Sequence, residues 1–344
     1  MSFLVNMVVS ILVFGVVIVI HEFGHFIVAK KSGIKVNEFS IGMGPKIAGV
    51  KKGETDYSVR ALPIGGYVAM EGEDEESDCE GSFSKAPVQN RIAVVVAGAV
   101  MNLVLGFCIL LFMVSKQDAI TSRTVSKFHE NAMTQQTGLR VDDEIVAVNG
   151  RRCYIANDII YEFARTQDGI IDFTVRRDGK TVELNDVTFE TYENEDGIKQ
   201  LVLDFYVYPA EKTPVSVIRE AANWTVSYAR MIFLTLIDMI TGHVAINQMS
   251  GPVGIVSVIS EATSVGWQPV LNILALITIN LGIFNLVPFP ALDGGRLVFL
   301  IIEFLRGKPI NPKYEIWVNT AGMLVLLAFM AFVTFSDITR LIGF

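Results

Sequence analysis

The chain has 344 residues, of which 51% are hydrophobic and 19% charged, with a mean hydropathy of +0.45. This is too apolar for a soluble protein of that length and predicts a polytopic membrane protein. The net charge of −8 argues against a nucleic-acid binder.

A bilayer span needs roughly 20 consecutive apolar residues. Runs of that order occur at Phe3 to Ile20, Ile92 to Val114, Pro269 to Leu292 and Ile316 to Phe335, which predicts about four transmembrane helices. The first run has no Lys or Arg before Lys30 and no small-residue cleavage site at its end, so it reads as a retained anchor rather than a secretory signal. It runs on into the sequence HEFGH.

His21 and His25 lie one helical turn apart on one face, so both imidazoles can reach a single cation, with Glu22 beside it. Unpaired ionisable groups in an apolar span each cost ~2.5 kcal/mol or more, and metal coordination offsets that cost. The spacing is that of a zinc hydrolase. A short helical motif of this kind also occurs by chance, and the apolar setting is what favours Zn2+ here.

After the first span come Lys30, Lys31, Lys35, Lys46, Lys51, Lys52, Arg60, Lys85 and Arg91, and after the third come Arg296, Arg306, Lys308 and Lys313. The positive-inside rule puts both loops in the cytoplasm and both termini outside. In the first loop, YSVRALPIGGYVAM (Tyr57 to Met70) alternates about Pro63 to Gly66 and reads as a membrane-associated β-hairpin, either a plain surface feature or an edge that accepts another extended chain. The acidic cluster Glu71 to Glu80 reads as a solvated loop.

The stretch from Ser115 to about Gln268 then falls outside. GLRVDDEIVAVNGRR and IIDFTVRRDGKTVEL carry Asn-Gly and Asp-Gly turn signals between alternating runs, so a small strand-rich α+β domain is expected. The segment from Pro214 begins amphipathic and turns apolar at Met231, and Asp238 and His243 interrupt it before spanning length, which suggests an interfacial helix. Domain boundaries follow at 1–114, 115–210, 211–268 and 269–344. Cys79, Cys108 and Cys153 fall in different compartments, and no disulfide is expected.

A catalytic zinc needs a third protein ligand and an open position. The metzincin pattern does not supply it, because Val28 and Lys31 stand at its Gly and His positions, and the other histidines are His129 and His243. Asp293, in NLVPFPALDGGR, is the better candidate, since the end of the third apolar run brings it to the depth of His25. An Asp before Gly-Gly is also a common helix cap or turn residue.

HEFGH, GMG (Gly42 to Gly44), the IGGY stretch (Ile64 to Tyr67), the external domain and NLVPFPALDGG together resemble the site-2 protease family of intramembrane metalloproteases. The nearest resemblance is to its bacterial envelope-stress branch, which carries a PDZ insert. The resemblance implies Zn2+ on His21, His25 and Asp293, with Glu22 as the catalytic base. It implies that Asn285, Pro288 and Pro290 hold unwound substrate, that Asn102 of AGAVMN lies near the active site, and that Gly65, Gly66 and Tyr67 contact substrate. SGPVGI (Ser250 to Ile255) also looks familial. Ala99 stands where the family usually has Pro, and Asp142 replaces the usual Gly of the PDZ consensus.

The resulting expectation is an intramembrane zinc endopeptidase in the bacterial inner membrane. It would cut single-pass membrane proteins such as anti-sigma factors or remnant signal peptides near the cytoplasmic side, with an extracytoplasmic PDZ-like domain receiving a peptide or pre-cleaved substrate. A zinc transporter or metal sensor using the same histidines, and an inactive scaffold presenting the PDZ-like domain, are the rival readings.

Overall fold

The computed structural model describes residues 3–73, 77–166, 168–193, 199–241 and 251–342, so His243 and Ser250 lie outside the described residues. The chain divides into two compact units, Met1–Ile109 with Met231–Phe344, and Leu110–Arg230. Among the described residues four helices are long and apolar enough to cross a membrane: Val5–Lys31, Val88–Lys116, Trp267–Phe284 and Lys313–Thr339.

In the first unit, α1 (Phe3–Lys31) carries HEFGH and is followed by strands β1 (Val36–Lys52) and β2 (Thr55–Met70), then by α2 (Val88–Lys116). The hairpin expected within Tyr57–Met70 is a single strand, β2, and the chain reverses earlier, between Lys52 and Thr55, which pair across Gly53 and Glu54. Pro63 and Gly65 bend β2 instead of ending it, since proline removes one ladder donor without forcing a reversal. In β1 the bend falls at Gly42 and Gly44, both with positive φ (87° and 82°), where a Cβ on Gly42 would stand 2.5 Å from the Leu62 carbonyl oxygen.

These bends let Glu38–Ile41 pair on two sides, with Gly66–Ala69 and with Asp56–Val59. The ribbon therefore folds back into a small sheet. Ile47, Val50 and Leu62 are exposed on it, an apolar surface suited to lipid or to an extended chain.

The second unit is built from β3 (Ile120–Phe128), α3 (Met133–Gln136), β4 (Glu144–Val148), β5 (Arg151–Arg152), α4 (Ala156–Ala164), β6 (Ile170–Arg177), β7 (Lys180–Thr188), β8 (Thr191–Glu193), β9 (Lys199–Leu201) and β10 (Phe205–Ala210). Its antiparallel sheet runs β10-β3-β4-β6-β7, over a core that includes Leu139, Ile145, Phe163 and Phe173. Asn149–Gly150 and Asp178–Gly179 both have two successive positive φ angles, the geometry their sequences favour in tight hairpins. Asp143 is fully buried and held by Arg177 through two contacts of 2.7 Å and by the Arg140 N–H at 2.8 Å. Cys79, Cys108 and Cys153 are free.

α5 (Pro214–Ile240) is one continuous helix, and Ser227 and Arg230 on it bind the buried Asp158 of α4 within the second unit. The compact unit thus extends to Arg230, beyond the domain end at 210 read from the sequence. α6 (Pro252–Val265) has no counterpart in the sequence reading, which ran one interfacial segment from 211 to 268. Its first backbone N–H groups, at Gly251 and Gly254, donate to the buried Asp337 at 3.2 and 2.9 Å, so a carboxylate meets the positive end of the helix.

α7 (Trp267–Phe284), α8 (Asp293–Arg306) and α9 (Pro312–Ile342) complete the chain. The apolar run read as one span from Pro269 to Leu292 is broken: α7 stops at Phe284, residues 285–292 are irregular, and Asp293 opens a separate helix. Pro288 and Pro290 are the cause, because each lacks an N–H and restricts the residue before it.

Candidate metal centre

α1 presents His21 and His25 on one buried face, their Nε2 atoms 3.2 Å apart. The bend after α7 returns the chain so that Asp293, at the first position of α8, sets its Oδ2 3.2 Å from His21 Nε2 and 3.3 Å from His25 Nε2. Three donor atoms from residues 272 positions apart in sequence thus form a near-equilateral triangle. A tetrahedral zinc with bonds of about 2.0–2.1 Å spaces its ligands about 3.3 Å apart, so the observed edges fit the ion.

The imidazole tautomers agree with this. His25 Nδ1 donates to the Val94 carbonyl at 2.8 Å, which leaves Nε2 with a lone pair facing the other two donors. The Asn102 amide lies 3.4 Å from His21 Nδ1 and is fully buried, with its oxygen otherwise unpartnered. Turned so that this oxygen accepts the Nδ1–H, it leaves His21 Nε2 free as well. Thr278 of α7 steadies Asn102 by donating to its carbonyl at 3.2 Å.

Close approach of α1 and α2 makes the pocket. A Cβ on Gly24 would meet the Ala97 carbonyl oxygen at 2.4 Å, and one on Gly98 would meet His25 Nε2 at 2.4 Å and His21 Cε1 at 2.7 Å. The sequence reading passed over both glycines; their only signal was a glycine inside each of two apolar helices, HEFGH and VAGAV.

Glu22 is half-buried and lies within electrostatic range of His25, His21 and Asp293. β2 crosses α1 beside it: a Cβ on Gly66 would stand 3.4 Å from Glu22 Cγ and 2.9 Å from the Ser40 carbonyl oxygen. Asn285, at the end of α7, holds its amide nitrogen 3.4 Å from His21 Nε2.

Of the residues expected from the sequence, His21, His25, Asp293, Asn102 and Asn285 gather at one point, with Glu22 and Gly66 alongside. Pro288 and Pro290 lie on the loop that delivers Asp293. Gly65 and Tyr67 flank Gly66 on the strand, with Gly65 against Met43 and the Tyr67 hydroxyl donating to Glu38 at 2.6 Å. His129 stacks on Tyr206 in the second unit.

The Tyr67 contact belongs to a polar knot that stiffens the strand pair. Burial would raise the Glu38 carboxyl, but hydrogen bonds from Ser58, Tyr67 and Arg60 outweigh it and hold the group at about 2, while the Tyr67 hydroxyl is pushed up to about 12. A carboxylate depressed in this way stabilises the folded pair fully above its ordinary value of 4.5, and the stabilisation fades as pH falls toward 2. Amide exchange in β1 and β2, corrected for its intrinsic pH dependence, is therefore expected to rise between those values. Glu38→Gln should flatten that dependence, and an identical profile in the variant would contradict the assignment.

The peptidase family M50 pattern matches residues 9–329. The regulator of sigma-W protease RasP of Bacillus subtilis is 31% identical, over 98% of this chain and 99% of the relative. The zinc metalloprotease RasP of Bacillus licheniformis is also 31% identical, over 98% and 99%. A Clostridium acetobutylicum protein named as a candidate zinc metalloprotease is 35% identical over the whole of both chains. Fold, donor set and relatives define an integral membrane metalloprotease that uses zinc. The chain belongs to peptidase family M50, the site-2 protease family.

Proposed function

We propose that this chain hydrolyses peptide bonds within or beside the transmembrane segment of single-span membrane proteins, with His21, His25 and Asp293 as the zinc ligands and Glu22 as the general base. The observation that carries the reading is the 3.2–3.3 Å triangle of donors on membrane-crossing and adjoining helices, with the Glu22 carboxylate within electrostatic range of all three. When bound, zinc supplies Lewis acidity, polarising the carbonyl under attack and making the attacking water more acidic. Glu22 accepts the proton from that water and returns it to the leaving amine. Asn102 fixes the His21 ring, and the Asn285 amide is close enough to donate to the carbonyl oxygen as negative charge develops on it.

A substrate helix hides its carbonyls in its own hydrogen bonds, and each group freed in lipid costs several kcal/mol. Gly66–Met70 pairs with Val36–Ile41 along one edge, and among the described residues no strand pairs its other edge. An opened substrate segment adding to that edge regains its backbone bonds as it passes Glu22. Gly65, Gly66 and Tyr67 then line the strand-addition site, and Pro288 and Pro290 shape the opposite wall.

The strand-rich unit is read as a PDZ-like domain that docks or size-selects substrates already trimmed outside. Support comes from its five-strand antiparallel path and from Asp142, whose φ of 71° is the left-handed geometry for which a glycine is the usual choice. The Lys and Arg distribution puts that domain and both termini outside the cytoplasm, in a bacterial inner membrane, with the metal centre toward the cytoplasmic side. The name of the Bacillus subtilis relative makes membrane-anchored regulators such as anti-sigma factors the first substrate class to test, and remnant signal peptides the second.

The test is cleavage of a labelled single-span peptide by purified protein in detergent. Stripping with a chelator should abolish cleavage and stoichiometric zinc should restore it. Zinc binding without cleavage of any of several spans would favour a transporter or an inactive scaffold.

A further inference from the structure

Ala291 has a φ of 73°, a left-handed conformation that a Cβ disfavours, and it stands two residues before Asp293. Such a conformation persists only where the surroundings over-determine it, and here α9 supplies much of that constraint. Asn319 Oδ1 accepts the Ala291 N–H at 3.4 Å. One turn on, Gly322 lies so close that a Cβ there would stand 2.3 Å from Pro290 Cβ and 2.8 Å from the Pro290 carbonyl oxygen. From the other side the start of α8 folds onto the same loop, and a Cβ on Gly295 would be 2.5 Å from the Phe289 carbonyl oxygen.

Apart from Asp337 at the start of α6, much of α9 faces outward: Trp317, Leu324 and Phe335 are 76%, 62% and 68% exposed, as expected of a lipid-facing span. A polar Asn319 within such a span is costly unless it has a task. Asn319 and Gly322, at i and i+3, share one face, and that face meets the Pro290–Ala291 turn.

We propose that α9 braces the metal centre. Asn319 and Gly322 are positioning residues that hold the Pro290–Ala291 turn in its left-handed form, and that turn fixes Asp293 against His21 and His25. The proposal rests on reading those three residues as the zinc ligands.

It is tested by zinc affinity, measured by chelator competition on the full-length protein in detergent and independent of cleavage. Asn319→Ala should weaken zinc by about tenfold, the scale of one lost conformational constraint. Ala291→Gly, which adopts the left-handed form without penalty, should bind zinc nearly as the parent does and should restore most of the affinity when combined with Asn319→Ala. Undiminished affinity in Asn319→Ala, or a double variant no better than Asn319→Ala alone, overturns the brace. Gly322→Ala should also weaken zinc if it folds; the Ala291→Gly rescue decides the matter without it. Asp293→Ala serves as the control: parent-like affinity there rejects the ligand assignment itself, a failure distinct from that of the brace.

Discussion

Glu22→Gln is expected to lower cleavage of a single-span peptide by about 10²–10⁴-fold, the range for loss of a positioned general base, while bound zinc stays at the level of the parent protein. The two readouts separate because Glu22 follows His21 directly in α1 and so points about 100° away from the ligand face. It is no member of the triangle formed by His21, His25 and Asp293. Glutamine keeps the volume and a hydrogen-bonding oxygen but cannot carry the proton. If zinc falls together with activity, Glu22 supports the ligand geometry instead of acting as the base. If activity persists, another group takes the proton. Metal content and initial rates measured on the same preparation decide between these outcomes.

The half of this site that lies within one helix was legible because helical geometry is local. His21 and His25 at i and i+4 must share a face, and an apolar setting makes three ionisable groups improbable without a ligand. Asp293 required an argument about depth across the membrane, and that argument picked a residue the fold does bring beside His21 and His25, but from an incorrect picture of the backbone. Counting apolar residues ran a single span to Leu292, whereas Pro288 and Pro290 end the helix and let Asp293 start a new one. The same blindness to backbone geometry misplaced the hairpin: alternation marks strands, but only the pairing showed that Gly53 and Glu54 make the reversal and that Pro63 merely bends β2. α6 was missed because Asp337, some 80 residues later, supplies the acceptors at its N-terminus, and no local capping residue announces it.

The glycines escaped for a related reason, since what they make room for lies on another helix. Gly98→Ala is expected to weaken zinc by about 10–100-fold, corresponding to the roughly 1–3 kcal/mol typical of an added methyl group in a packed interior. The penalty should fall on the metal because the added carbon would stand 2.4 Å from His25 Nε2, the atom that faces the ion under the proposed ligand assignment. The ring has little room to retreat. Its Nδ1 is tied to the Val94 carbonyl, one turn earlier on the same helix as Gly98, so moving α2 away would also pull on the bond that sets the ring. Gly15→Ala is the matched control: the same substitution in the same membrane core, at a glycine with no atom within 4 Å of its would-be Cβ. That variant should hold zinc as the parent does. Equal affinity in both variants would mean that α2 is not the wall of the metal centre, whereas a loss confined to Gly98→Ala would show that zinc affinity depends on the spacing between two helices as well as on the three donors.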